Sequence, residues 1–111
     1  MVTNETFRKR APELAGTEEF PHFKRRAFRI AGKTIFATLH ETDRKANLNL
    51  SANEQKIYSS YDKGCAYPVP NKFGQKGWTT FDLALCPAEL VSDALYAAYH
   101  FVLKENSKGK K

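Results

Sequence analysis

Several things this chain lacks limit what it can be. It has no run of about 18 apolar residues, so a bilayer-spanning helix is excluded, and its opening MVTNETFRKR lacks the apolar centre of a secretion signal. Cysteine is scarce: Cys65 and Cys86 fit no zinc spacing and are too few for a disulfide scaffold. Both are expected as reduced thiols in a cytoplasmic protein with no membrane partner. No paired carboxylates, glycine-rich phosphate loop or nucleophile beside a recognisable base can be picked out. The histidines, His22, His40 and His100, are far apart and have no carboxylate company of metal-site spacing. An enzyme, a cofactor and a resident metal are therefore not expected. At 111 residues the chain has the length of one domain with a real core.

Positive charge is plentiful, with a formal net of +6. Part of it lies in residues 104–111, where four lysines stand against Glu105. The domain is expected to occupy 1–104, with 105–111 a basic flexible tail too polar to fold alone. A second concentration lies in 24–33, where Lys24, Arg25, Arg26, Arg29 and Lys33 occur with no acid among them. Such clustering makes nucleic acid a candidate partner, which overall charge alone does not.

Residues 26–50 organise the rest. They alternate as three antiparallel strands, with Gly32-Lys33 as a two-residue turn and 41–44 as a four-residue loop. In that register Ile30 faces Ile35, Phe28 faces Ala37, Ala37 faces Leu48 and Leu39 faces Ala46, all on one apolar side. The other side pairs Arg29 with Phe36, Phe36 with Asn49, Thr38 with Asn47 and His40 with Lys45. A slip of one residue would mix the two sets, so the pattern specifies its own register.

Around this meander, Thr3 or Asn4 caps a first helix through Phe7 and Ala11, which Pro12 kinks or stops and Gly16 closes. Pro21 marks 17–23 as an edge strand or loop. Ser51 and Glu54 form a capping box for a short helix through Ile57, Tyr58 and Tyr61, ending near 62–64. Residues 67–77 read as a loop stiffened by Pro68 and Pro70, in which Gly74 and Gly77 permit positive φ. In 78–85, Thr79, Phe81, Leu83 and Leu85 make one face of a further strand. Trp78 either joins the polar face or plugs a sheet edge. Pro87 opens a long helix whose stripe Val91, Leu95, Ala98 and Val102 covers the apolar side.

The runs EEFPHFKRRAFRIAGKTIFATLHE, ANLNLSANEQ and YPVPNKFGQKGWTTFDL together resemble the MmcQ/YjbR family of small bacterial proteins. The likeness extends from about Phe7 to about Leu103. It implies an α+β fold, an antiparallel sheet with helices packed mainly on one face, similar to frataxin-like and double-wing folds. Members are described as DNA-binding because two hairpins resemble the double wing of a phage transcription factor domain. Many carry a glycine near Lys24 and a proline near Arg26; both positions are basic here, which enlarges the cationic cluster. The acidic ridge with which frataxin-like proteins hold iron is absent, Thr17-Glu18-Glu19 being too small.

Two functions follow as expectations. The first is weak or unspecific binding of nucleic acid, duplex DNA in particular. Lys24, Arg25, Arg26, Lys33, Arg44, Lys45, Lys72 and Lys76 would meet phosphates, Arg29, Asn47 and Asn49 would reach base edges, and Trp78 would stack. This requires the cations to form one continuous patch. The alternative is a non-enzymatic small-molecule or protein interaction module that uses the polar sheet face, with Phe36, Thr38, Asn47, Asn49 and Trp78 lining a shallow site.

Overall fold

The computed structural model describes residues 2–22, 25–61 and 64–108, with side chains through Lys104. Helix α1 (Asn4–Arg10) starts where the Thr3 hydroxyl accepts the Thr6 amide at 3.0 Å. Pro12 does not end the helix abruptly. The chain tightens into a 3-10 turn, Ala11–Glu13, in whose first residues a missing N–H costs nothing. Gly16, at φ 78°, then turns it into the sheet.

Strands β1 (Thr17–His22), β2 (Arg25–Ile30), β3 (Ile35–His40) and β4 (Lys45–Asn49) run as successive antiparallel neighbours. Helix α2 (Ala52–Ser59) follows; the Ser51 hydroxyl accepts the Glu54 amide at 3.2 Å, the serine half of the expected capping box, and donates to the Glu54 carboxylate at 3.2 Å, and the helix ends at Ser59. Next come β5 (Ala66–Pro68), the short α3 (Lys72–Gln75), β6 (Trp78–Asp82) and α4 (Ala88–Lys108). The six-stranded sheet has the order β1-β2-β3-β4-β6-β5, antiparallel throughout. Helix α4 continues to Lys108, past the domain limit of 104 read from composition; residues 109–111 of the expected tail lie outside the described residues.

The core fills one side of the sheet. Phe7 of α1 meets Phe28 edge-on at 5.7 Å, and Tyr58 of α2 meets Phe81 at 5.8 Å. Helix α4 lies across β3 and β4 and buries Val91, Leu95, Ala98 and Val102, the stripe read from its spacing. Its Tyr99 reaches past the core to donate its hydroxyl to the Ala15 carbonyl at 2.6 Å.

The meander keeps the expected pairs Ala27–Thr38, Phe28–Ala37, Ala37–Leu48, Thr38–Asn47, Leu39–Ala46 and His40–Lys45. It departs at the start of β3. Arg29 pairs with Ile35, not Phe36, because one extra residue of β3 is inserted between the Phe28 and Arg29 rungs. This β-bulge turns Phe36 to the helix side, where it is fully buried and edge-on to Tyr99 at 5.7 Å. Ile35 is left on the open side. Phe36 is therefore a core residue and not part of the polar face.

Two further expectations are corrected at the C-terminal half. Leu85 is exposed, because β6 ends at Asp82: the Asp82 carboxylate accepts the Ala84 amide at 3.0 Å and its carbonyl accepts the Leu85 amide at 3.0 Å, which turns the chain. The stretch 67–77 is also more than a loop, since it contributes to an edge strand and carries α3. Gln55 of α2 pins it by donating to the carbonyls of Gly74 at 2.8 Å and Trp78 at 3.2 Å.

Candidate functional site on the open sheet face

Successive residues of a strand point to opposite faces. The helices take one side, so the other is set by alternation: Phe20 and His22 on β1, Arg25, Ala27 and Arg29 on β2, Thr38 and His40 on β3, Lys45, Asn47 and Asn49 on β4, and Trp78 and Thr80 on β6. Ile35 joins them through the bulge. The 69–73 segment rises beside this face as a wall, closed at its base by Asn71, whose side-chain oxygen accepts the Phe73 amide at 2.8 Å. Gly74 and Gly77 let that wall fold tightly. A side chain on Gly74 would strike the Val69 carbonyl, and one on Gly77, at φ 109°, would strike Leu50.

The result is a concavity of about 340 Å³ lined by His22, Arg25, Ile35, Thr38, Asn47, Val69, Asn71, Phe73 and Trp78. That volume falls within the range of roughly 300–1,000 Å³ common to ligand sites. Its floor is the rung Thr38–Asn47–Thr80. Asn47 is held there: its oxygen accepts the Thr80 hydroxyl at 2.7 Å, and its amide nitrogen lies 3.4 Å from the His40 ring. Burial, with the Arg25 guanidinium adding to it, holds the His40 imidazole below its ordinary value, and Asp43 offsets part of this. Thr38 is only 6 % exposed, and its hydroxyl has no hydrogen-bond partner. A buried hydroxyl without a partner costs about 1–3 kcal/mol.

The basic residues do not gather. Arg25 lies on the open face at one end of the strands. Arg26, the next residue, projects to the helix side and bonds Glu19 at 2.6 Å; Arg8 of α1 bonds the same carboxylate at 2.7 Å. Burial alone would raise the Glu19 carboxyl, but these two guanidiniums outweigh it and hold it below the ordinary range. Arg29 shares the open face but pairs with Glu18 at 3.1 Å and lies 4.6 Å over the Phe20 ring. Lys33 sits in the β2–β3 turn, at the opposite end of β3 from Arg44 and Lys45. Arg44, at φ 56°, ends the β3–β4 loop, and Lys45 faces Asp82 across the β4–β6 ladder. The Tyr67 phenol, with Asp82 and Asp43 behind it, holds the Lys45 ammonium above the ordinary lysine value. Lys72 and Lys76 are exposed on and just after α3, by the Trp78 end. Lys24 lies outside the described residues.

Of the residues singled out from sequence for a function, the cavity thus collects Arg25, Thr38, Asn47 and Trp78. Asn49 shares their face beside Trp78 without lining the hollow. Trp78 is half-buried on the open side and does not plug an edge, since β6 lies between β4 and β5. Ile35, Val69, Asn71 and Phe73 were not foreseen as lining residues. Cys86 is buried, its thiol is pushed up by that burial with Cys65 adding, and it donates to the Cys65 carbonyl at 3.1 Å. Among the described residues, no group of three His, Cys, Asp or Glu side chains is placed to hold a metal ion. None of their helices is long and apolar enough to cross a membrane.

No family model matches the chain, and no curated protein matches it. Among solved structures, the crystal structure of the Deinococcus radiodurans protein DR2400, described as a DUF419 domain, is similar. The TM-score is 0.78 over 96 % of this chain and 82 % of that one, at 23 % sequence identity. The fold is therefore that of a small α+β domain of the DR2400 type.

Proposed function

We propose that this chain is a non-enzymatic binding module of the MmcQ/YjbR kind that takes a small molecule on the open face of its sheet. The observation that carries the reading is a concavity of about 340 Å³ with Arg25 on one side and the Trp78 and Phe73 rings on the other. The neighbouring Asn47, fixed by Thr80, supplies an orienting amide of the sort that sets ligand pose in mixed pockets. The test is a screen of small, soluble organic fragments against the full chain by NMR. Shift changes are expected to cluster on Thr38, Asn47 and the Trp78 indole; changes scattered elsewhere, or none at any fragment concentration, refute the reading.

Nucleic-acid binding is the second reading. In its favour, Arg25, Arg29 and Lys45 share one sheet face with Trp78. Against it stand the pairing of Arg26 and Arg29 with Glu19 and Glu18, and the placement of Lys33 away from Arg44 and Lys45. Salt-titrated binding to duplex, single-stranded and RNA probes decides it. A slope of log affinity against log salt near −4 to −5 would indicate about five neutralised phosphates, whereas two or fewer accord with the divided charges.

A further inference from the structure

The cavity is polarised. None of the described side chains that line it is acidic, and its permanent charge is Arg25. No described carboxylate forms an ion pair with that guanidinium. Arg25 stands on one side of the Ala27–Thr38–Asn47 rung, while Ile35 and Trp78 stand on the other, opposite Arg29 and Asn49 respectively. On this second side the surfaces are flat and apolar. Phe73 is 55 % exposed at the rim, so its ring is open to the hollow. From one end to the other the hollow therefore offers a guanidinium, then a fixed amide, then two aromatic faces.

We infer that the ligand is an aromatic carboxylate, with its acid group on Arg25 and its ring against Trp78 and Phe73. This rests on the reading of the cavity as a small-molecule site. A guanidinium presents paired N–H donors in the geometry of a carboxylate, and such charge-assisted bonds are about twice as strong as neutral ones. Aromatic faces hold a flat ring by offset or edge contacts. The Asn47 amide between them selects for a polar atom at mid-length.

Three probes separate this inference from the reading beneath it: 2-naphthoate, its neutral analogue 2-naphthamide, and acetate. Each is titrated into the full chain, and affinity is read from the indole N–H of the single tryptophan and from the Thr38 amide. The acid is expected to bind about tenfold more tightly than the amide, and acetate only at far higher concentration. Arg25→Gln is expected to abolish the preference, the acid then binding no more tightly than the amide. Equal binding of acid and amide to the native chain, or a preference that survives Arg25→Gln, overturns the carboxylate assignment and leaves the pocket standing. If neither naphthyl compound perturbs Trp78 or Thr38, the pocket reading falls and the carboxylate falls with it.

Discussion

Thr38 and Asn47 face one another across β3 and β4, yet only Asn47 is hydrogen-bonded, through the Thr80 hydroxyl at 2.7 Å. The pair places a satisfied and an unsatisfied polar group side by side on the same floor. Replacing Thr38 with valine removes the orphan hydroxyl and keeps the branched shape. Thr38→Val is expected to stabilise the free protein by about 1 kcal/mol in urea unfolding. A loss of stability would show that the hydroxyl is already satisfied in solution.

The bulge at the start of β3 makes an ordered prediction about two neighbours. Phe36 is fully buried against Tyr99, whereas Ile35 is half-exposed at the cavity. Phe36→Ala is expected to cost about 3–5 kcal/mol. Ile35→Ala should cost distinctly less and alter ligand binding instead. Strict alternation without a bulge requires the reverse order, so chemical denaturation of the two variants tells the arrangements apart.

Glycines 32 and 77 both have positive φ, at 79° and 109°, but differ in surroundings. A β-carbon at Gly32 meets open space; one at Gly77 runs into the Leu50 backbone. Gly32→Ala should cost about 1 kcal/mol from the left-handed conformation alone. Gly77→Ala should cost clearly more and displace the 69–77 wall, visible as shifts at Trp78 in the absence of ligand.

His40 supplies a pH dependence. Its folded imidazole titrates below the ordinary value of 6.5, through burial and the Arg25 charge. The unfolded chain therefore takes up the proton first, and stability falls as pH drops below about 6.5 towards the folded value. Thermal unfolding between pH 7.5 and 5 is expected to show this decline, and His40→Gln to flatten it. An unchanged slope in the variant would assign the decline to another group.

Glu19 gives the acid limb. Its carboxyl is depressed by Arg8 and Arg26, so its contribution is present above 4.5 and is lost as pH falls through the lower folded value. Glu19→Gln should lower the melting temperature at pH 7 and reduce the steepness of acid unfolding. Glu18→Gln, whose bond to Arg29 is half-exposed on both sides, should change neither appreciably.

Much of the sheet could be read from residue types, because alternation is a strong signal wherever strands pair one to one. Ala27 opposite Thr38 and Ala37 opposite Leu48 followed from it directly. The bulge could not be read that way: it breaks the one-to-one count, and nothing in Thr34-Ile35-Phe36 announces it. That single insertion exchanged Ile35 for Phe36 in the site. Strand β5 was missed because three residues ending in proline carry no period. The division of Arg25 from Arg26, by contrast, was available, since adjacent strand residues cannot share a face; counting charges along the chain concealed it. The wall at 69–73 depends on Gln55 and on close backbone approach at Gly74, contacts between distant segments that local pattern does not encode.

The two outermost strands of the sheet, β1 and β5, each contain a proline, Pro21 and Pro68. Each lacks an amide hydrogen that an incoming strand would need, so neither margin offers a full template for cross-molecular pairing. Strand addition at either margin is therefore expected to be disfavoured in concentrated solution, and substituting both prolines is expected to relieve that restraint.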